Sequence, residues 1–201
     1  MLNQLVKQMN SNVTQWALSL HDNVLLNKIM FFFSLLGKGG FIFWLLALAY
    51  ALFYFFKKKD KKLFLLSLGF FVALGITFLL IDYCIKPIVK ESRPFVEFPE
   101  ILTYFEKYNY TVPKDYSFPS GHSTAAFLAL SYFMFIDKKS LFYTIPFAIL
   151  ISFSRVFIGA HYLSDVLAGM AIGLVLGIAF NFVFKLIIDK IYRSKEVKKW
   201  D

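Results

Sequence analysis

Long apolar stretches, separated by short polar or basic segments, dominate the sequence. Five of them approach the length of a membrane helix and cover about 40–56, 63–85, 122–136, 141–158 and 163–189. Crossing a bilayer takes about 20 apolar residues, so the third and fourth stretches need flanking residues to complete a span. Because lipid-facing backbone must satisfy its own hydrogen bonds, the pattern predicts an all-α bundle of transmembrane helices.

An earlier segment, at about 16–36, is less clearly apolar. Its first part carries polar residues, namely His21, Asp22, Asn23, Asn27 and Lys28. Only Ile29–Leu36 is continuously apolar. The segment fits either a tilted first span or a helix lying in the membrane interface. We expect a span, which brings the bundle to six transmembrane helices.

Basic residues cluster between the predicted spans and near the C-terminus. The three groups are Lys57, Lys58, Lys59, Lys61 and Lys62, then Lys138 and Lys139, then Lys190, Arg193, Lys195, Lys198 and Lys199. Such groups favour the cytoplasmic side of a membrane, and threading five spans puts all three there without conflict. The loops at about 86–121 and 158–162 then face outward, and with six spans the N-terminus is cytoplasmic.

The composition supports a membrane protein and excludes several other classes. Hydrophobic residues make up 58% of the 201 residues, more than one soluble core can bury. The net charge of +9 would suggest nucleic acid for a soluble protein, but the topology already accounts for the basic residues. Cys84 is the single cysteine, which excludes an intrachain disulfide. We expect one membrane-embedded domain over 1–201, with no nucleic-acid partner and no obligate protein partner.

Three polar clusters lie near the ends of the predicted spans. They are Lys86 with Arg93–Pro94, then Pro119–Ser120–Gly121–His122, then Ser154–Arg155 with His161 and Asp165. Charged groups at such positions are costly to desolvate and require an explanation. The threading, which was built on other residues, places all three clusters at the outer surface, where four helix ends can converge on one pocket.

The cations of these clusters indicate a phosphate site. Lys86, Arg93 and Arg155 have few acids nearby; arginine offers phosphate a planar fork and lysine a point charge. Ser120 and Gly121 stand at a helix start, where free N–H groups and the helix dipole favour an anion. Glycine also lets the backbone approach the phosphate closely.

The histidines of these clusters suggest phosphoryl transfer. His161 and Asp165 are four residues apart and would share a helix face. A carboxylate on one ring nitrogen leaves the other nitrogen free to attack phosphorus. His122 can protonate the leaving oxygen and then activate water. Since no cluster of acids near this site would hold magnesium, we predict neither a metal nor a cofactor.

Structural explanations compete with these roles. Lys86 alone could be an interfacial anchor paired with Asp82, and His161 with Asp165 could simply cap a helix. We expect His21 to be incidental to the chemistry. The loop lysines are expected to be solvated: Lys90, Lys107 and Lys114.

Two further patterns concern packing. Gly169, Gly173 and Gly177 recur every four residues and permit close helix approach, for which packing within the bundle is favoured over dimerisation. The aromatic residues of the outer loop are expected in the headgroup layer. They are Phe95, Phe98, Tyr104, Phe105, Tyr108, Tyr110 and Tyr116.

The three clusters together resemble the signature of the type 2 phosphatidic acid phosphatase superfamily. Its parts read here Lys86-Pro-Ile-Val-Lys-Glu-Ser-Arg93-Pro94, Pro119-Ser-Gly-His122, and Ser154-Arg155, five residues, His161, three residues, Asp165. The resemblance covers about 60–190 and suits the small bacterial members. It implies that His161 is the nucleophile, Asp165 orients it and His122 donates the proton. The implied phosphate ligands are Lys86, Arg93, Ser120, Gly121 and Arg155.

The resemblance also implies an activity and a place. We expect a multi-pass enzyme of the bacterial cytoplasmic membrane that hydrolyses a lipid phosphate or diphosphate on the periplasmic or exterior face. Undecaprenyl diphosphate is the first candidate substrate, with phosphatidylglycerol phosphate and lipid A 1-phosphate as alternatives. Transfer of the phosphate to an acceptor other than water stays open. A non-catalytic lipid transporter or scaffold is the alternative of another class, although it has no reason to retain both histidines and three cations. The family's vanadium-dependent haloperoxidases are soluble and larger, and we set that activity aside.

Overall fold

The computed structural model describes residues 2–197, with side chains from Asn3 to Arg193, and this part of the chain forms helices and connecting turns only. Its α-helices are α1 (Leu2–Ser19), α2 (Val24–Leu36), α3 (Phe41–Leu52), α4 (Lys61–Leu79), α5 (Lys86–Val89), α6 (Pro94–Glu97), α7 (Ile101–Lys107), α8 (Gly121–Phe133), α9 (Leu141–Phe157) and α10 (Leu163–Val197). Wider π-helical turns extend α3 to Lys58 and join α4 to α5. The predicted all-α class is confirmed.

Within residues 2–197, four helical segments are long and apolar enough to cross a membrane: Lys38–Lys58, Lys61–Glu97, Lys138–Phe157 and Leu163–Arg193. The apolar helix α2 is shorter. The predicted span at 122–136 corresponds to α8, which has 13 residues and is therefore about 20 Å long. Almost all its side chains are buried, so α8 is the central helix of the bundle and contacts protein on nearly every side. The count of six spans stays a prediction.

The N-terminal region differs from the predicted single segment at 16–36. The helix α1 ends at Ser19, and α2 begins at Val24 after a polar turn. The Asn23 side chain accepts a hydrogen bond from the Leu26 N–H at 3.0 Å and so caps α2. His21 is buried, with its Nε2 at 2.7 Å from the carbonyl oxygen of Phe157. The polar residues that interrupt the apolar pattern thus form a packed turn, and His21 is a structural residue.

Close contact between α8 and α10 forms the centre of the bundle. A Cβ added at Gly169 would lie 2.7 Å from the backbone oxygen of Ser120. At Gly173 and Gly177 it would collide with the backbone of α8 itself, at Thr124 and Leu128. The three glycines therefore pack within the bundle, as predicted. This contact also fixes the start of α8 against the start of α10, because the Ser120 N–H donates to the Asp165 carbonyl at 3.0 Å.

The lysine-rich loops lie at the end of the bundle opposite the hydrogen bond between Ser120 and Asp165. Lys62 Nζ is 2.8 Å from Asp189 Oδ1, which joins the α3–α4 loop to the last turns of α10. The Tyr50 hydroxyl lies 3.4 Å from Asp137 Oδ2, next to Lys138. This arrangement agrees with the predicted threading. In the C-terminal basic group, Lys198 and Lys199 lie outside the described residues, as does the side chain of Lys195.

Residues 90–120 fold over the other end of the bundle, and we call them the cap. Phe98, Ile101 and Phe105 are buried in a small apolar cluster with residues of α2 and the end of α9. The expectation that the loop aromatics occupy the headgroup layer is therefore wrong for the rings of Phe98 and Phe105, because the short helices α6 and α7 give them a core of their own. Tyr116 is 43% exposed. The three loop lysines are exposed, as predicted.

Candidate active site

A cavity of about 530 Å³ opens at the capped end of the bundle. Six of the eight predicted site residues line it: Lys86, Arg93, Gly121, His122, Arg155 and His161. Its floor is formed by side chains that are almost entirely buried, and its mouth by the exposed residues Lys38, Asn109 and Thr111. These six predicted residues, up to 75 positions apart in the chain, thus meet in one pocket, as the sequence predicted.

The other two predicted residues lie behind the cavity wall. Ser120 is fully buried, and its hydroxyl caps α8 by accepting hydrogen bonds from the Ser123 N–H at 3.4 Å and the Ser123 hydroxyl at 3.0 Å. Since its own N–H is used by Asp165, Ser120 has no free backbone donor for a ligand. Asp165 is also fully buried, and its Oδ2 accepts from the Tyr162 N–H at 2.9 Å in the first turn of α10.

His161 is placed by the loop before α10 rather than by the helix itself. The sequence-based expectation of a shared helix face is wrong, because α10 begins only at Leu163. The Nδ1 of His161 lies 3.5 Å from Asp165 Oδ2 and 3.4 Å from the Ser117 hydroxyl. That hydroxyl also donates to Asp165 Oδ2 at 2.5 Å. Ser117 therefore links the imidazole to the carboxylate.

The second ring nitrogen of His161 faces the cavity. Arg93 Nη1 approaches His161 Nε2 to 3.3 Å. A guanidinium group can only donate, so this contact requires the lone pair on Nε2 and puts the ring proton on Nδ1. Burial lowers the pKa of His161 well below its ordinary value, and the charges of Arg93 and Arg155 lower it further. The ring is therefore neutral at neutral pH, and its unprotonated Nε2 lies beside the cations, as a nucleophile requires.

Arg93 and Lys86 share a carboxylate, that of Asp115. One oxygen accepts from Arg93 Nη2 at 2.8 Å, and the other contacts Lys86 Nζ. Although burial raises the pKa of Asp115, the hydrogen bond from Lys86 and the charge of Arg93 lower it on balance, so the group is ionised. Lys86 also pairs with Asp82 at 2.7 Å, as foreseen, but this pairing does not remove it from the cavity wall.

Arg155 has a different environment. It is 2% exposed, and its Nη1 donates to the Ser34 hydroxyl and to the Tyr110 hydroxyl, the latter at 2.7 Å. Within the described part of the chain, its Nε has no hydrogen-bond partner, and neither does Nε2 of His122. Among the described side chains Arg155 forms no ion pair with a carboxylate. A buried and uncompensated cation of this kind is suited to an anionic ligand.

A sequence model of the PAP2 superfamily matches residues 64–188, which include all eight predicted site residues. The chain belongs to the PAP2 superfamily. The extent of its single domain, expected over 1–201, stays a prediction.

The relatives of the chain carry different substrate names. The chain is 29% identical over 160 residues to a lipid A 4'-phosphatase of Porphyromonas gingivalis, with 78% of this chain but only 64% of the relative covered. It is 29% identical over 162 residues to the undecaprenyl-diphosphatase BcrC of Bacillus subtilis, covering 80% of this chain and 76% of the relative. The crystal structure of a transmembrane PAP2-type phosphatidylglycerolphosphate phosphatase from Bacillus subtilis superimposes with a TM-score of 0.66 at 25% identity, over 93% of this chain and 88% of the other.

Four residues of the candidate site lay beyond sequence reasoning: Ser34, Tyr110, Asp115 and Ser117. Ser34 and Tyr110 hold Arg155, whereas the sequence assigned Tyr110 to the headgroup layer. The charge and hydrogen bond of Arg155 lower the pKa of Tyr110 on balance, although its burial raises it. Ser117 precedes the second signature part by two residues, which was the single sequence signal available. Nothing in the sequence tied Ser34 or Asp115 to the signature, because both contacts depend on how α2 and the cap fold over the site.

Proposed function

We propose that the chain removes phosphate from a membrane lipid phosphate or diphosphate through a phosphohistidine on His161. The observation that carries the proposal is the shared cavity. It joins a neutral imidazole with an unprotonated Nε2 to three cations, Lys86, Arg93 and Arg155, and to a second histidine, His122. Membership in the PAP2 superfamily supports it, because the relatives compared above are named as lipid phosphatases.

The proposed reaction has two steps. In the first, His161 Nε2 bonds to phosphorus while the bond to the leaving oxygen breaks, and His122 protonates that oxygen where it is basic. Asp165, with Ser117, holds the Nδ1 proton and stabilises the cationic phosphohistidine. In the second, water activated by His122 attacks phosphorus, and inorganic phosphate leaves. Lys86, Arg93, Arg155 and the first N–H groups of α8 at Gly121 stabilise the charge on the phosphoryl oxygens. For Ser120 we propose an indirect role as the cap of α8.

The first candidate substrate is undecaprenyl diphosphate, which would yield undecaprenyl phosphate and phosphate. A PAP2 relative with this activity in its name aligns over 80% of the chain. Phosphatidylglycerol phosphate and lipid A phosphates are the alternatives, each supported by one of the other comparisons. Turnover of the three lipids, measured side by side in detergent, would rank them.

For the site we propose an outward orientation in a bacterial cytoplasmic membrane. The lysine-rich loops lie at the end of the bundle opposite the cavity, and such loops favour the cytoplasm. A cysteine introduced by Lys114→Cys, in the exposed cap, should react with a membrane-impermeant reagent in intact cells, in a background where Cys84 is replaced by serine. Labelling that occurs only after lysis would reverse the orientation. Metal independence also stays a prediction, and activity lost to a chelator and restored by magnesium would contradict it.

The central test compares two histidine variants on one substrate. Purified His161→Gln protein should release phosphate from farnesyl diphosphate at least about 10³-fold more slowly than the wild type. With terminally labelled substrate, His122→Gln should retain acid-labile label on the protein, because its phosphohistidine forms but reacts slowly with water. Near-normal turnover by His161→Gln, or label retained by that variant, would sink the proposed role of His161.

The same measurements separate the competing functions. A transporter or scaffold would release no phosphate in detergent, with or without orthovanadate as inhibitor. A phosphotransferase would release little phosphate in water alone and would form a new phosphate ester when an acceptor alcohol is added. Hydrolysis predicts vanadate-sensitive phosphate release that does not depend on an added acceptor.

A further inference from the structure

The turn between α2 and α3 forms one side of the cavity mouth, although it lies outside the PAP2 signature. A Cβ added at Gly37 would stand 2.8 Å from Cδ2 of His122, so the backbone of this turn lies directly against the second histidine. The indole N–H of Trp44 donates to the carbonyl of Gly39 at 3.0 Å. Gly39 and Gly40 have φ values of 58° and 69°, which favour glycine and shape a tight turn. The turn is thus held in place beside His122.

Lys38 is the charged residue of this turn, and it lines the cavity. The lining contains four cations, Lys38, Lys86, Arg93 and Arg155, and two carboxylates, Asp82 and Asp115, which leaves a net charge of +2. The carboxylates pair with Lys86 and Arg93. Among the described side chains, Lys38 and Arg155 form no ion pair. One of these two unpaired cations lies on the floor and the other at the mouth.

We propose that Lys38 binds the leaving phosphate of a lipid diphosphate and makes the site selective for diphosphates over monophosphates. The inference rests on the proposed function, in which His161 attacks the terminal phosphorus and the electron pair of the broken bond leaves on the bridging oxygen with the lipid monophosphate. That leaving group lies on the His122 side, where Lys38 stands. It carries a charge of about −1.5 to −2 at neutral pH, whereas a monophosphate ester expels an uncharged alcohol.

The difference between the leaving groups gives Lys38 and His122 separate tasks. An alkoxide is strongly basic and needs the proton of His122. A phosphate monoester is a weak base and needs charge stabilisation more than a proton. Lys38 supplies this charge, and Asn109 and Thr111 at the same mouth offer hydrogen-bonding groups for the remaining oxygens.

The test uses two lipids with the same tail, farnesyl diphosphate and farnesyl monophosphate. Lys38→Gln removes the charge and should lower kcat/KM for the diphosphate about tenfold, while kcat/KM for the monophosphate changes less than about twofold. Lys38→Arg should retain most of the preference. Lys114→Gln, which removes an exposed charge of the cap that does not line the cavity, should leave both values unchanged.

Each outcome bears on one of the two proposals. If Lys38→Gln slows both lipids equally, or neither, while its thermal unfolding matches that of the wild type, the role of Lys38 is overturned and the phosphatase function stands. If this variant is less stable, the ratio of the two kcat/KM values still decides, because loss of folded protein lowers both in proportion. Wild-type protein that releases phosphate from neither lipid would overturn the proposed function itself.

Discussion

Two buried arginines line the cavity, and their surroundings differ. Arg93 donates to three backbone carbonyls, those of Asp115 at 2.8 Å, Ala160 at 2.7 Å and Tyr116 at 3.3 Å, and to the carboxylate of Asp115. Arg155 donates to two hydroxyl groups and leaves its Nε without a partner. Both side chains are no more than 5% exposed.

The contrast indicates that Arg93 holds the cap in place, whereas Arg155 is available to bind an anionic ligand. Arg93 ties two loops together, the end of the cap and the loop before His161, so it serves the fold as well as the site. Among the described residues, Arg155 contacts two hydroxyl groups and the ring of Tyr110 but no carboxylate, and such a charge is costly in a protein interior unless an anion binds. Function and stability should therefore separate at Arg155 and coincide at Arg93.

Within this comparison, the largest expected effect comes from replacing each arginine with methionine. Both variants should lose about 10²–10³-fold in kcat/KM, the usual cost of removing one donor to a developing anion. Arg93→Met should also lower the free energy of unfolding by about 2–4 kcal/mol, because it leaves buried carbonyls without donors. Arg155→Met should lower it by less than about 1 kcal/mol, since the hydroxyl groups of Ser34 and Tyr110 can bond to each other.

Thermal or denaturant unfolding in detergent, followed beside phosphate release, measures both quantities. Ser34→Ala serves as a control, because it removes one partner of Arg155 and keeps the charge. An Arg155→Met variant that is as unstable as Arg93→Met would show that Arg155 is a structural residue. The proposed difference between the two arginines would then be wrong.

The sequence predicted the bundle better than its boundaries. Apolar length and lysine runs were sufficient for the all-α class and for the clustering of the basic loops, since both depend on how single segments partition between lipid and water. They did not indicate that α8, with 13 residues, is covered by neighbouring helices, because a buried helix and a lipid-facing helix have similarly apolar sequences. They also missed the break at Leu20–Asn23, which depends on tertiary contacts of His21 with Phe157.

The site followed the same division. Six of the eight residues predicted from their chemistry and spacing line the cavity, and their roles stay a prediction. The sequence did not indicate the residues that contact them, because a serine or an aspartate in a loop carries no signal until the loop is folded. Ser117 and Asp115 belong to this group, and variants of both test the comparison between Arg93 and Arg155 further.

A smaller effect is expected at Ser117, on the Arg93 side. Ser117→Ala removes the hydroxyl that joins Asp165 to His161, so the imidazole is held less firmly in the tautomer that leaves Nε2 free. We expect kcat to fall about tenfold with KM nearly unchanged, because Ser117 is buried behind the cavity and does not line it. Ser117→Thr keeps the hydroxyl and should restore part of kcat. A rise in KM without a fall in kcat would contradict this role.

The smallest expected effect is a gain in affinity at Asp115, which occupies the cations that a phosphate would bind. Asp115→Asn keeps an oxygen that can accept from Arg93 but removes the negative charge, so Lys86 and Arg93 attract an anion more strongly. Because Asp115 is half exposed and solvent screens its charge, inhibition by orthovanadate should tighten only about two- to fivefold. Asp82→Asn is the matched control, since Asp82 pairs with Lys86 alone, and its effect should be smaller. Weaker inhibition of Asp115→Asn would mean that the Asp115 carboxylate positions Lys86 and Arg93 and does not compete with the substrate. These two cations would then be held in their binding positions by Asp115 before the substrate arrives.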